Sequence, residues 1–176
     1  LDDWSTIDNN PYGADGRSFD LAYAGRLDRL IKAADDIGMV VIVSLLYASQ
    51  GMRLQDGRAV RNAVIGASRF LRDGDYTNVI IEVANEYNLS GFHMHLIVQS
   101  DEGIASLIDL ARQEAGGLLV GSSGTGGYAN REVAEASDVI LIHANGLHRQ
   151  GYYNLVRKVQ SWDLDKPIVC NEDSPC

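Results

Sequence analysis

The sequence predicts an α/β protein built around a parallel β-sheet. Two observations lead to this prediction: apolar runs of strand length alternate with helical patterns, and each of the five apolar runs ends in hydrogen-bonding side chains. Strands that alternate with helices form βαβ units, in which consecutive strands are parallel. Both faces of such a sheet are covered, so its strands are apolar throughout.

Five segments have the composition of strands that are buried on both faces. Each is rich in β-branched and aliphatic residues and is short enough for a strand. They are Met39–Tyr47, Val79–Ala84, Leu118–Ser123, Asp138–His143 and Lys166–Glu172. All are far shorter than the roughly 20 apolar residues of a membrane span.

Helical periodicity separates these strands, because apolar residues recur at intervals of three and four. Gly38 follows the first helix and Gly116 follows the third, as expected for C-terminal caps. The apolar positions are Leu27, Leu30, Ile31, Ala34 and Ile37; Val60, Val64, Ala67 and Leu71; Ile104, Leu107, Ile108, Ala111 and Ala115; and Tyr152, Leu155, Val156 and Val159, with a short helix at Arg131–Ala136.

Length and charge restrict the domain organisation and the partners. The 176 residues suffice for one domain with its own core, and no linker interrupts them, so we predict a single domain over residues 1–176. The net charge of -9 leaves no basic stripe to neutralise phosphates, which argues against nucleic acid. We expect a soluble protein that does not bind membranes, secreted or periplasmic if a signal sequence has been removed.

The polar residues at the strand ends predict the position of a site. In an open doubly wound sheet and in a (β/α)₈ barrel alike, ligands bind at the carboxyl ends of the strands. Packing does not account for polar residues at all five ends, so we expect them to line a cleft. They are Tyr47, Ser49 and Gln50; Asn85 and Glu86; Ser122 and Ser123; His143 and Asn145; and Asn171 and Glu172.

Glu86 and Glu172 are the candidate catalytic residues. Two carboxyl groups in one dry site repel each other, so one tends to keep its proton while the other ionises. A proton donor beside a carboxylate nucleophile is what a retaining glycosidase requires. The alternative from the residues alone is that each glutamate pairs with an arginine or caps a helix.

Two motifs at these glutamates resemble signatures of a known superfamily. EVANE resembles the strand-4 signature of the retaining (β/α)₈-barrel glycoside hydrolases (clan A, cellulase-like), and KPIVCNE resembles their strand-7 signature. The likeness covers most of residues 20–173 and includes a group of bacterial hypothetical glycoside hydrolases. It implies a partial (β/α)₈ TIM barrel that spans strands 3 to 7, with five sequential parallel strands and outer helices.

The resemblance also implies roles for individual residues. Glu86 corresponds to the acid/base, Glu172 to the nucleophile, and Asn85 to a residue that hydrogen-bonds the sugar 2-hydroxyl. Glu82 corresponds to a structural acidic residue four positions before the acid/base. His143 matches a strand-6 histidine.

Three further residues are assigned to substrate binding together with Asn85 and His143. Asn145 stands where relatives have a tyrosine that supports the nucleophile, and Tyr47 stands where many have a strand-3 histidine. Tyr87 follows Glu86 directly, and we expect it in the cleft. The departures at Asn145 and Tyr47 leave the substrate open.

The correspondence leaves strands 1, 2 and 8 of a barrel without counterparts in this chain. Unpaired strand edges favour aggregation. We therefore expect either a fragment of a longer enzyme, which we favour, or an oligomer whose contacts cover the two open edges.

The sequence thus predicts a retaining glycoside hydrolase that acts on a β-linked glycan or glycoside, without a cofactor or a metal. One alternative is a catalytically inactive carbohydrate-binding barrel fragment. A second is a metal-dependent barrel hydrolase that uses His93 and His95, together with His143 or His148. The glycine-rich segment at residues 121–127 lacks the Lys-Ser/Thr ending of a phosphate-binding P-loop.

Overall fold

The computed structural model of the protein describes residues 10–48 and 53–174. Ser49 and Gln50, predicted at a strand end, lie outside the described residues. The five strands are β1 (Val41–Leu46), β2 (Val79–Ala84), β3 (Leu119–Gly121), β4 (Ile140–His143) and β5 (Ile168–Glu172). The helices are α1 (Leu21–Asp35), α2 (Gly57–Asp73), α3 (Leu96–Gln99), α4 (Asp101–Glu114), α5 (Arg131–Ala136) and α6 (Arg149–Gln160), with a 3₁₀ turn at Ser90–Phe92.

All the strand pairs are parallel, and the strands follow one another in chain order. β2 lies between β1 and β3 in a three-stranded sheet, and β4 pairs with β5. The prediction of an α/β fold with five sequential parallel strands is confirmed, and this arrangement is that of a partial (β/α)₈ barrel. Several strands are shorter than predicted, most clearly β3, which has 3 residues.

The hydrogen-bond ladder is interrupted between β3 and β4, a feature that the sequence did not predict. The Asp138 backbone N–H donates to the Val120 carbonyl at 2.7 Å, while the Val120 N–H donates to the Asp138 carboxylate at 3.0 Å. The side chain of Asp138 therefore occupies the place of a strand carbonyl. The two sheets remain neighbours at this junction, where a Cβ on Gly121 would lie 2.3 Å from the Val139 carbonyl oxygen.

The core lies between the helices and one face of the strands. Ile81 and Val83 of β2 are fully buried in one apolar cluster with residues of α2 and α4, such as Val64 and Leu107. A smaller cluster packs α6 against β4 and β5. The helices thus cover the outer face of the strands.

The opposite face of the strands carries the polar residues. Ser44, Glu82 and Gly121 lie side by side in the register of β1, β2 and β3. Because side chains alternate between the two faces of a strand, this register places Ser44 and Glu82 on the same inner face. Among the described residues, no helix combines the length and the apolar character that a bilayer crossing requires.

Gly121→Ala should destabilise the junction between β3 and β4. The added methyl would meet the Val139 carbonyl oxygen in a rigid part of the backbone, and such overpacking costs about 1–3 kcal/mol. Gly66→Ala is the matched control, because a Cβ on Gly66 would meet nothing within 4 Å on helix α2. We expect this control to stabilise the protein by about 0.5–1 kcal/mol. Urea unfolding of both variants measures the difference, and equal effects of the two substitutions would contradict the close approach.

Candidate active site

The carboxyl ends of β2, β4 and β5 bring two carboxylates and one imidazole together. Glu86 follows β2, His143 ends β4 and Glu172 ends β5. One oxygen of each carboxylate and one nitrogen of His143 all lie within 4.8 Å of one another. The two glutamates that the sequence singled out, 86 positions apart, thus face the same point.

His143 lies beneath the two glutamates rather than in an open cleft. Its side chain is 0% exposed, whereas Glu86 is 17% and Glu172 is 45% exposed. The Nδ1 atom lies 3.2 Å from Glu86 Oε1 and 3.6 Å from Glu172 Oε2. We expected His143 to contact substrate. In the structure its ring contacts the two carboxylates and has no exposed surface.

Glu82 lies on the buried side of this group, next to His143. Its carboxylate is buried and accepts hydrogen bonds from the Ser44 hydroxyl and, at 3.1 Å, from the Asn171 amide. Glu82 Oε1 also lies 3.9 Å from His143 Nε2. A buried carboxylate needs such donors to offset its desolvation. Glu82 therefore links β1, β2, β4 and β5, in agreement with the structural role that the resemblance implied.

Asn145 contacts Glu172. Its side-chain amide donates a hydrogen bond to Glu172 Oε1. Relatives in the resembled superfamily have a tyrosine at this position. Here the Asn145 amide is the hydrogen-bond donor to Glu172. The loop is held from the other side as well, because the Gly146 N–H donates to the Ser174 hydroxyl at 3.1 Å.

The backbone of Glu86 is strained. Its φ is 52°, in the left-handed region that a residue with a Cβ rarely adopts, and glutamate is not among the residue types enriched there. Ser123 holds this conformation: its hydroxyl accepts from the Glu86 N–H at 3.1 Å and its carbonyl from the Tyr87 N–H at 3.0 Å. Strain of this kind concentrates at functional sites.

Tyr87 is buried, contrary to the prediction that it lies in the cleft. Only 1% of the residue is exposed, and its hydroxyl donates to Asp101 at the start of α4. Burial, followed by this hydrogen bond, raises the pKa of Tyr87 far above its ordinary value. Asp101 also accepts from the Tyr128 hydroxyl at 3.1 Å and from the Asn130 amide at 2.6 Å. Tyr87 therefore anchors the strand end to a helix.

The side chains of Asn85 and Tyr47 have no polar partner among the described residues. Within residues 10–48 and 53–174, neither the Asn85 amide nor the Tyr47 hydroxyl forms a side-chain hydrogen bond, and Tyr47 is exposed. The Asn85 backbone N–H donates to the Leu46 carbonyl at 3.0 Å, which places the two strand ends side by side. These polar groups are available to a ligand.

The glycine-rich segment packs against the site and needs no phosphate to explain it. A Cβ on Gly126 would lie 2.2 Å from the Asn145 carbonyl oxygen, and Gly127 adopts a φ of 79° while donating to the His143 carbonyl at 2.9 Å. Thr125 is tied to Asn88, which accepts from its N–H at 2.8 Å. The glycines allow the loop to approach the ends of β2 and β4 closely.

His93 and His95, the histidine pair of the metal-hydrolase alternative, do not join this group. His93 is exposed, with Nδ1 2.9 Å from the Ser90 carbonyl, and His95 is buried elsewhere. In the part of the chain that the structure describes, the three potential metal ligands that cluster are Glu86, His143 and Glu172.

Sequence reasoning missed Asp101, and it missed the partners of Ser123 and Asn171. Ser123 and Asn171 were noted as polar strand-end residues, but nothing in the sequence indicated their partners. Asp101 is the first residue of helix α4, where acidic residues are common, so its position alone did not mark it as part of the site. What distinguishes Asp101 is its hydrogen bond with Tyr87, and only the folded structure shows that bond.

Replacing Glu86 by glycine should relieve strain. Gly adopts a positive φ without the cost of about 1–2 kcal/mol that a Cβ brings. We expect Glu86→Gly to be more stable than Glu86→Ala by about 1 kcal/mol in thermal or urea unfolding. At Asp109, in the middle of α4, the order should reverse, because Gly is less favourable than Ala by about 1 kcal/mol in a helix. The same order at both positions would argue against strain at Glu86.

No protein-family model matches the chain. No curated protein matches its sequence. Among solved structures, the fold is similar to that of the beta-D-glucuronidase from Dictyoglomus thermophilum, with a TM-score of 0.54 and 20% sequence identity, over 83% of this chain and 28% of that chain. The chain thus spans little more than a quarter of the length of that enzyme. At this level of identity the similarity shows the fold alone.

Proposed function

We propose that the chain carries the catalytic pair of a retaining glycoside hydrolase that acts on a β-linked glycan or glycoside. Glu86 is the acid/base and Glu172 is the nucleophile. One observation supports this proposal. An oxygen of Glu86 and an oxygen of Glu172 lie within 4.8 Å of each other, and both lie within the same distance of a His143 nitrogen.

The short separation favours retention over inversion. Retaining enzymes hold their carboxyl groups about 5–5.5 Å apart, whereas inverting enzymes leave about 6.5–9.5 Å for a water molecule. One oxygen of Glu86 and one of Glu172 lie within 4.8 Å of each other, which is nearer to the retaining separation than to the inverting one. It suits direct attack by one carboxylate on the sugar.

The reaction proceeds in two displacements. Glu172 attacks the anomeric carbon, the glycosidic C–O bond breaks, and Glu86 gives its proton to the departing oxygen. Water then attacks the glycosyl-enzyme, Glu86 takes a proton from it, and the bond between sugar and Glu172 breaks. The amide of Asn145 and the ring of His143 orient Glu172 for attack.

Substrate contacts are assigned to the unpaired polar groups. Asn85 would hydrogen-bond the sugar 2-hydroxyl, a contact that strengthens in the transition state. Tyr47 would contact the sugar from the end of β1. The structural similarity to a beta-D-glucuronidase suggests a glycoside hydrolase relationship, and the sugar itself follows from neither observation.

Substitution of each glutamate in the complete enzyme separates the two roles. Glu172→Ala should abolish turnover of every glycoside, because no covalent intermediate can form. Glu86→Ala should still react with 2,4-dinitrophenyl glycosides, which need little protonation, and the glycosyl-enzyme should then accumulate. Azide should rescue Glu86→Ala and give a product of retained configuration, as determined by NMR.

Glu135→Ala is the control, because Glu135 is an exposed glutamate paired with Arg131 on α5. It should leave turnover unchanged. Azide rescue of Glu86→Ala with inverted configuration would mean that the two roles are reversed.

Asn145→Asp should slow formation of the glycosyl-enzyme. The substitution keeps the shape of the side chain, but it replaces the donor to Glu172 with a second carboxylate that repels it. Misplacement of a reacting group by about 1 Å costs about 10²-fold in rate, and we expect a loss of this order. Pre-steady-state kinetics with an activated glycoside measures this step, and an unchanged rate would remove Asn145 from the site.

Sugar binding without turnover is the alternative function. The departures from the superfamily pattern at Tyr47 and Asn145 favour it. Isothermal titration with β-linked oligosaccharides, together with an assay for reducing ends, distinguishes the two. Binding without release of reducing ends by the complete protein would support the alternative.

A further inference from the structure

We propose that Glu86, His143 and Glu172 form a binding site for a divalent transition-metal ion of the zinc class. The ion would occupy the point where the two carboxylates converge. The site stands on its own donor geometry, and its consequence for catalysis rests on the proposed function.

The donor spacing suits a small metal ion. Zinc binds oxygen and nitrogen ligands at about 2.0–2.2 Å in a tetrahedral arrangement, which places neighbouring ligands about 3.3–3.6 Å apart. The distances from His143 Nδ1 to Glu86 Oε1 and Glu172 Oε2 are 3.2 and 3.6 Å. The third edge, between the two carboxylates, is at most 4.8 Å, and a small movement of the exposed Glu172 side chain would shorten it.

The second nitrogen of His143 faces a carboxylate, at a distance longer than a hydrogen bond. A histidine ligand usually donates its other N–H to a carboxylate, which fixes the tautomer and orients the ring. His143 Nε2 is buried without a hydrogen-bond partner in the described structure, and Glu82 Oε1 lies 3.9 Å from it. Glu82 is itself held by Ser44 and Asn171. With the proton on Nε2, His143 offers the lone pair of Nδ1 to the ion.

The charge of the site also favours a cation. Three carboxylates, from Glu82, Glu86 and Glu172, surround one imidazole. Among the ion pairs formed within the described residues, none joins a lysine or an arginine to any of these glutamates. A divalent ion would offset the repulsion between the negative charges.

The donor set selects the class of ion. Two carboxylates and one imidazole suit zinc and its first-row neighbours, while calcium requires about six to eight oxygen ligands. Three protein ligands leave a fourth position for water. A bound ion would hold Glu172 away from the sugar and Glu86 away from the leaving group, and zinc would therefore inhibit hydrolysis.

Zinc binding is tested directly on the chain without a histidine tag, by titration of zinc chloride against a chromophoric chelator. We expect one zinc per chain. Glu172→Gln keeps the size of an exposed side chain, and His143→Gln removes the nitrogen ligand. Each should weaken binding by at least tenfold, with circular dichroism and thermal unfolding to verify the fold.

His93→Gln is the matched control, because His93 is an exposed histidine outside the group. It should bind zinc as the unchanged chain does. Absence of zinc binding, or equal affinity in Glu172→Gln, would overturn the proposal, and loss of binding in His93→Gln alone would place the ion at the surface. Because Glu172→Gln changes an exposed side chain, it decides the question even if His143→Gln fails to fold.

The outcomes for the metal and for the hydrolase are separable. Zinc binding in a protein that hydrolyses no glycoside would leave the metal site standing and remove the proposed function. Hydrolysis by a complete enzyme that zinc neither binds nor inhibits would do the opposite. A spectrum of the cobalt-substituted chain reports the ligand geometry independently of activity.

Discussion

A single buried imidazole holds the polar end of this molecule together. His143 lies among three carboxylates that come from β2, the loop after β2 and β5. Three negative charges in a partly dry site repel one another, and a hydrogen-bond donor or a bound cation among them would offset that repulsion. Since β4 carries the histidine, the position of β4 beside β5 decides whether the two outer glutamates meet.

The support beneath the imidazole extends across both sheets. Glu82 accepts from Ser44 on β1 and from Asn171 on β5, and these contacts bridge the point where the hydrogen-bond ladder is interrupted. The inner face of the strands is therefore tied together by side chains where the backbone ladder is not continuous.

Glu86 depends on a different set of contacts. Its left-handed backbone is held by Ser123 on one side and by the anchoring of Tyr87 to Asp101 on the other. A reacting group must be held by neighbours whose own positions are fixed. The buried Tyr87, anchored to Asp101, thus helps to fix the backbone that follows Glu86.

The sequence by itself determined the elements of the fold and the identity of the two central glutamates. The apolar runs and the helical periodicity predicted five strands and their helices, because side-chain period and burial are local properties of the chain. The strand-end position of Glu86 and Glu172 followed from the same pattern, since the carboxyl ends of parallel strands lie at one edge.

The tertiary structure alone decided which polar groups meet. The direction of a side chain beyond a strand end depends on loop backbone, which no short pattern specifies: Tyr87 turned inward to Asp101, while Asn145 turned to Glu172. The pairing of Ser44 with Glu82 depends on strand register, and the interruption between β3 and β4 depends on one aspartate side chain, Asp138. These are contacts between residues distant in the chain, so their energies are set only once the strands have packed.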